Sequence, residues 1–182
     1  KYGLAPTIKQ AFEEIYKAPF IAKILLAELG VKPERDLFLS INYDGNFEES
    51  RGWAALGATA SVQGRMRRYV ESQPPFAQAS LAQAVELALC TWAVGSLAQA
   101  ASESPAAESS STRVSEEQTE GDGSSLPDKA ALLAHVRQTV AEKALECVLL
   151  ERRGPGSAKY RALRPAELGG LLPPAVSAPA AT

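Results

Sequence analysis

The stretch from Leu37 to Gly57 constrains the fold of this chain more than any other. In "DLFLSINYDG" the residues Leu37, Leu39, Ile41 and Tyr43 share one face of an extended strand, and Phe38, Ser40 and Asn42 share the other. Asp44-Gly45 then supplies the residue pair that a two-residue type I′ turn favours, because both central positions take positive φ. The return run "NFEESRGWAALG" forms the second arm, with Gly52 as a candidate bulge. Upstream, "FIAKILLAELG" is nearly continuous in large apolar side chains and closes on a glycine, as a strand buried on both faces does, with a short helix as the competing assignment. Phe20–Leu29, Leu37–Tyr43 and Trp53–Leu56 are therefore expected to be neighbouring antiparallel strands.

Elsewhere the apolar period is that of helices. Ile8, Ala11, Phe12, Ile15 and Tyr16 recur at helical spacing over Thr7–Tyr16, ahead of Pro19. In "ASVQGRMRRYVES" the residues Val62, Met66, Tyr69 and Val70 make an apolar stripe, with Arg65, Arg67 and Arg68 on or near the wet side. A second helix follows "SQPPF". Ser80 is placed to cap it, Gln83 sits at the capping-box position, and Leu81, Val85, Leu89 and Trp92 lie on a wide apolar face. "LPDKAALLAHVRQTVAEK" is a third, buried through Leu132, Leu133, Val136 and Val140. "ALECVLLERR" and "AKYRALR" form two more strands about a Gly154-Pro155-Gly156 turn, and Pro165 opens a short closing helix, "PAELGGLL". Because the strands come as local hairpins, the pattern is α+β with antiparallel pairing. Residues 1–172 are expected to be one domain. Residues 101–125, rich in Ser and Glu, hold too little apolar surface to offset the entropy of ordering and are expected to form a disordered acidic insertion. Residues 173–182 are expected to be a flexible tail.

Composition narrows the function classes. With 46% hydrophobic and 22% charged residues, net charge −2 and pI near 5.6, nothing marks a general nucleic-acid binder. No uninterrupted apolar run reaches the ~18 residues of a membrane span, and no signal peptide is evident. The first residue is Lys1 rather than Met, so a processed product or fragment is expected. Cys90 and Cys147 each fall in an apolar periodic segment and are expected to be reduced core thiols in a cytoplasmic protein.

The search for a catalytic set ends without one. His135, the lone histidine, sits on a helix face without further ligands at metal-binding spacing. Gly154-Pro155-Gly156 is too short for a phosphate loop, and Asp44-Gly45-Asn46 lacks the twelfth-position ligand of a calcium loop. Glu48 and Glu49 are adjacent on a strand and face opposite ways, so they cannot share a substrate. Arg65, Arg67 and Arg68 form either a solvated helix face or a docking face. Ser61 and Ser80 suit helix caps better than nucleophiles. No catalytic, cofactor-binding or metal-binding residue is assigned, and no cofactor is expected.

"FIAKILLAELG", "DLFLSINYDGNFEE" and "WAALGATAS", followed by "SLAQAVELAL" and "LECVLLERR…KYRALRPAELGGLLP", together resemble the second half of a bacterial proteasome α-type subunit. The resemblance covers most of the chain outside residues 101–125 and the tail. Two points depart from it: the usual Gly-Gly of the third strand is Gly57-Ala58, and the acidic insertion before Leu126 is long. It implies an αββα sandwich of the N-terminal-nucleophile hydrolase type, incomplete at its N-terminal side. It implies a non-catalytic subunit of an outer α ring that gates substrate entry. The implied partners are other α copies, β-type subunits and a ring ATPase, with no nucleic acid and no membrane. The gate and ATPase-docking residues would lie upstream of Lys1. The alternative is a β-type threonine peptidase, or a related hydrolase, with its nucleophile upstream of Lys1. Against it, that class carries a Gly-Ser-Gly turn where this chain has Gly57-Ala58-Thr59. If the preceding strands are absent, Trp53, Phe38 and the Leu37/Leu39/Ile41 face are expected to be partly exposed.

Overall fold

A computed structural model describes residues 3–13, 21–75, 78–103, 125–154 and 159–177. These form two compact units, residues 1–56 with 148–162, and residues 57–147 with 163–182.

The first unit is built on a three-stranded antiparallel sheet in the order β1 (Ile24–Glu28), β2 (Leu37–Ile41), β3 (Phe47–Ser50). Ile24 pairs with Ile41 and Glu28 with Leu37; Phe38 pairs with Ser50 and Ile41 with Phe47. Helix α1 (Leu4–Glu13) begins three residues earlier than its periodicity predicts, and Ile15 and Tyr16 lie outside the described residues. It packs Ala5 and Ile8 on Leu39 and Ile41, the face that the alternation assigns to the core. Phe12 meets Tyr43 with ring centroids 4.7 Å apart. A second hairpin, β4 (Val148–Leu150) with β5 (Tyr160–Ala162), pairs Leu149 with Arg161; Pro155 to Ala158 of its turn lie outside the described residues.

Three expectations for this unit are corrected. The turn is not a two-residue type I′. The Gly45 N–H donates to the Asn42 carbonyl (3.0 Å) and the Asn42 N–H to the Asn46 carbonyl (2.8 Å), so Tyr43 and Asp44 are the central residues. Gly45 follows at φ +82°, as in a three-residue loop closed by a glycine bulge. A Cβ at Gly45 would stand 2.9 Å from the Lys9 Cβ, so the seat of α1 requires glycine as much as the turn does.

Trp53–Leu56 is irregular rather than a strand. β2 pairs with β1 on one edge and with residues 47–50 on the other, so the return arm of the hairpin is β3, directly after the turn, and residues 53–56 have no place beside β2. Nor is β1 buried on both faces: Leu25 and Leu26 are exposed, as are Ile21 and Val31 beside it. It is an edge strand paired only with β2 among the described residues, and an apolar run by itself says nothing about what covers it. Leu37, Phe38 and Trp53 are half-buried, whereas Leu39 and Ile41 are buried.

The second unit is helical. α3 (Leu81–Ser102) contacts α2 (Ala60–Glu71) on one flank and α4 (Lys129–Glu142) on the other. α2 buries Val62, Met66, Tyr69 and Val70, the stripe predicted from its period. Gly95 lets the two helices close, because a Cβ there would come 2.7 Å from Met66 Sδ. α4 contributes Leu132 and Val136, both fully buried, to a core with Tyr69, Val85, Leu89, Cys90, Ala93 and Val94. Ser80 caps α3 through a capping box with Gln83, as expected. The cap of α2 is Thr59, whose hydroxyl accepts from the Val62 N–H at 3.2 Å, and not Ser61, which already lies in the first turn.

α3 is long and apolar enough to cross a membrane by length and composition, contrary to the expectation that no segment is. Its buried positions, Val85 through Ala98, pack within this unit as those of a core helix do. α5 (Pro165–Gly169) closes the core with Leu168. The flexible tail expected from residue 173 does not hold for Pro174–Ser177, which form α6 and bury Val176 against the core. Residues 104–124 of the acidic insertion lie outside the described residues, and Ala101 and Ser102 belong to α3.

Candidate functional site

Two polar clusters are held inside the helical unit, and both join positions far apart in sequence. In the first, Tyr69 on α2 meets Cys90 on α3 at the base of a cleft of about 320 Å³ walled by Gln73, Gln83, Glu86 and Lys129. The Lys129 ammonium is ion-paired with the Glu86 carboxylate. Burial pushes the Tyr69 phenol well above its usual range, and its hydrogen bond with Cys90 adds to the effect. Burial likewise raises the Cys90 thiol, against the opposing influence of the Tyr69 contact. The Lys129 ammonium is raised by its bond to Glu86. At neutral pH the cleft thus holds a neutral thiol, a neutral phenol and a compensated ion pair. None of them is a thiolate or a free amine of the kind that nucleophilic catalysis needs.

The second cluster contains the lone histidine. His135 Nε2 lies 2.9 Å from Ser96 Oγ, and the imidazole stacks on Trp92 with centroids 5.6 Å apart and planes 15° apart. A serine within reach of an imidazole is the first requirement of a nucleophile–base pair. The remaining requirements are not met among the described residues. The one carboxylate within α3, Glu86, is bound to Lys129, and no acidic residue of α4 lies within a turn of His135. Ser96 lies inside a helix whose backbone N–H groups serve its own turns, which leaves no donors for an oxyanion. The pair pins α4 to α3, and Thr139 adds a hydroxyl bond to the His135 carbonyl at 3.0 Å.

The other residues weighed from the sequence take structural positions. Asp44 accepts from the Asn46 N–H (2.9 Å) and side-chain amide (2.7 Å), and the backbone bond foremost holds its carboxyl below the usual range. Glu48 and Glu49 are exposed on β3, opposite Ser40 and Leu39. Arg67 and Arg68 are exposed and Arg65 is half-buried on α2. Cys90 and Cys147 are free thiols. No group of three His, Cys, Asp or Glu residues is placed to hold a metal among the described residues. Of the serines proposed as caps, Ser80 fills that role.

One cluster in the first unit escaped the sequence. Arg152, beyond β4, donates to the Gly30 carbonyl and to Asp36 Oδ1, and the Gly30 N–H also bonds Asp36 Oδ1 at 3.0 Å. The Arg152 hydrogen bond is the main cause that holds the Asp36 carboxyl below its usual range. Residues 36 and 152 are separated by most of the chain, and no local pattern pairs them.

No protein-family profile matches the chain, and no solved structure does. Over 72 residues the chain is 32% identical to a protein named Proteasome subunit alpha from Acidothermus cellulolyticus, a match covering 38% of this chain and 31% of that protein. The chain thus spans about a third of the length of the curated relative it matches, and along that stretch it is similar to a proteasome α-type subunit.

Proposed function

We propose that this chain is a non-catalytic, α-type structural subunit of a proteasome-like core particle in the cytoplasm. It would belong to the outer ring that gates substrate entry for protein degradation. The observation that carries this reading is the 72-residue similarity to Proteasome subunit alpha. The element order is in keeping with it: a helix, a three-stranded antiparallel sheet, three helices of which the middle one is the longest, a closing hairpin and two short helices. The chemistry at Gly57-Ala58-Thr59 favours the α type over the peptidase: Ala58 has no hydroxyl, and that of Thr59 is engaged as the α2 cap.

Its partners on this reading are other α copies, a ring of β-type subunits that supply the N-terminal threonine, and a ring ATPase. Co-purification of the full-length protein with its genomic β-type partner tests this by electron microscopy and fluorogenic-peptide hydrolysis. The expected result is closed rings of this protein stacked on β rings, with hydrolysis only when β subunits are present. Hydrolysis by this protein alone, with a mature N-terminal threonine found by mass spectrometry, would overturn the reading in favour of a β-type peptidase.

A further inference from the structure

Asp44-Gly45 carries a chemistry that turn formation does not use. Glycine has no Cβ to shield its backbone nitrogen, so the Gly45 nitrogen is the least hindered kind of nucleophile for the Asp44 side chain before it. The reaction begins as a dehydration. The Gly45 nitrogen loses its proton to water, the N–Cγ bond forms, a C–O bond of the protonated Asp44 carboxyl breaks, and water leaves. A five-membered succinimide remains. Water then adds at the Asp44 main-chain carbonyl carbon, whose bond to the Gly45 nitrogen breaks. The product is isoaspartate: its backbone runs through Cβ and Cγ, one methylene longer, and its α-carboxylate is free. Water is the only other reactant, and none is consumed overall.

The reacting groups are restrained in this fold. The Gly45 N–H donates to the Asn42 carbonyl at 3.0 Å, which holds the proton that must leave. Asp44 Oδ1 accepts from the Asn46 N–H at 2.9 Å and Oδ2 from the Asn46 side-chain amide at 2.7 Å. Those bonds, the backbone one foremost, favour the ionised carboxylate, whereas the attack needs the protonated form. Helix α1 lies across the turn. Phe12 meets Tyr43, the residue before Asp44, with ring centroids 4.7 Å apart. The Lys9 Cβ and the Ala5 carbonyl stand only 2.9 and 3.3 Å from where a Gly45 Cβ would be, so a backbone lengthened here has no room beneath the helix. We propose that Asp44-Gly45 is an isoaspartate-forming modification site that the turn and the seat of α1 keep closed, and that conversion, once it occurs, unseats α1. The proposal does not depend on the proteasome reading.

Ageing the full chain beside a synthetic peptide of residues 37–51 provides the test. Isoaspartate at Asp44 is read by peptide mapping with mass spectrometry, which separates it from the other Asp-Gly pair, Asp122-Gly123. At about 37 °C and about pH 6, Asp44 in the protein is expected to convert about tenfold more slowly than in the peptide. Asn46→Ala releases one carboxylate oxygen at an exposed position, and Phe12→Ala removes the ring that α1 lays on Tyr43. Each variant should convert about threefold faster than the wild type, with Asn46→Ala judged against a peptide carrying the same change. The converted protein, separated by chromatography, should exchange its backbone hydrogens at Ile8 and Lys9 faster than the unconverted protein. Three results would overturn the proposal: conversion in the wild type as fast as in the peptide; conversion that neither Asn46→Ala nor Phe12→Ala accelerates; or converted protein whose α1 exchanges as slowly as before.

Discussion

Among the described residues, the helical unit closes its own core and the sheet unit does not. In the first case ten buried residues from α2 to α6 form one cluster, with Ala93, Leu132 and Val136 sealed from solvent. In the second the buried cluster is Ala5, Ile8, Leu39 and Ile41, while Leu25, Leu26, Ile21 and Val31 face outward. Both units are rich in apolar side chains, so composition does not distinguish them. The difference lies in the number of layers. α3 has helices on two flanks, whereas β1 is hydrogen-bonded on one edge only among the described residues. Stability should therefore be concentrated in the helical unit, and the sheet unit has apolar surface to offer another layer.

The sharpest way to break this contrast is a matched pair of truncations. Leu132→Ala deletes a fully buried side chain between α3 and α4 and should cost about 2–5 kcal/mol of unfolding free energy. Leu26→Ala on β1, where the residue is 37% exposed, should cost about 1 kcal/mol or less. Urea denaturation of both variants measures the difference. Equal losses would show that β1 is covered after all.

Sequence resolved the two units unevenly, for reasons that can be traced to particular residues. Leu39 and Ile41 on β2, and Val62, Met66, Tyr69 and Val70 on α2, were legible because a period of two or of 3.6 is a local property. Trp53–Leu56 misled because an extended, apolar stretch becomes a strand only where a partner has unpaired backbone, and β2 had none left. Residues 174–177 looked like a tail because Pro and Ala carry little pattern, and it is contact with the core that buries Val176. The polar clusters were invisible for a stronger reason. Tyr69 with Cys90, Trp92 with His135 and Asp36 with Arg152 are pairs made by the tertiary fold. The sequence showed each partner singly and gave no hint that they meet.

A smaller effect within the sheet unit sharpens the contrast. Gly45→Ala forces a side chain into positive φ, at about 1–2 kcal/mol, and also drives its Cβ to 2.9 Å from the Lys9 Cβ. The expected loss is about 2 kcal/mol in total, accompanied by loosening of α1. Hydrogen exchange at Ile8 and Phe12 should accelerate while exchange at Leu132 stays unchanged. Equal acceleration at both places would mean that the two cores unfold together and that the contrast between them carries no energetic weight.

The smallest effect belongs to Asp36 and Arg152, and it depends on pH. Arg152, foremost through its hydrogen bond, holds the Asp36 carboxyl below its usual value. A carboxylate depressed in the folded state contributes stability that is fully present above its unfolded pKa, about 3.9, and is lost as pH falls through the lower folded value. Asp36→Asn removes that contribution, so its melting temperature should fall below that of the wild type at pH 6. The gap should narrow below about pH 4 and close in stronger acid. Roughly a third of each side chain is exposed, so added salt should shrink the gap at pH 6 as well. A gap of constant size from pH 6 to strong acid would show that the variant acts through the turn at Gly30 and not through the charge. In that case Arg152 would hold this edge of the sheet by its bond to the Gly30 carbonyl alone.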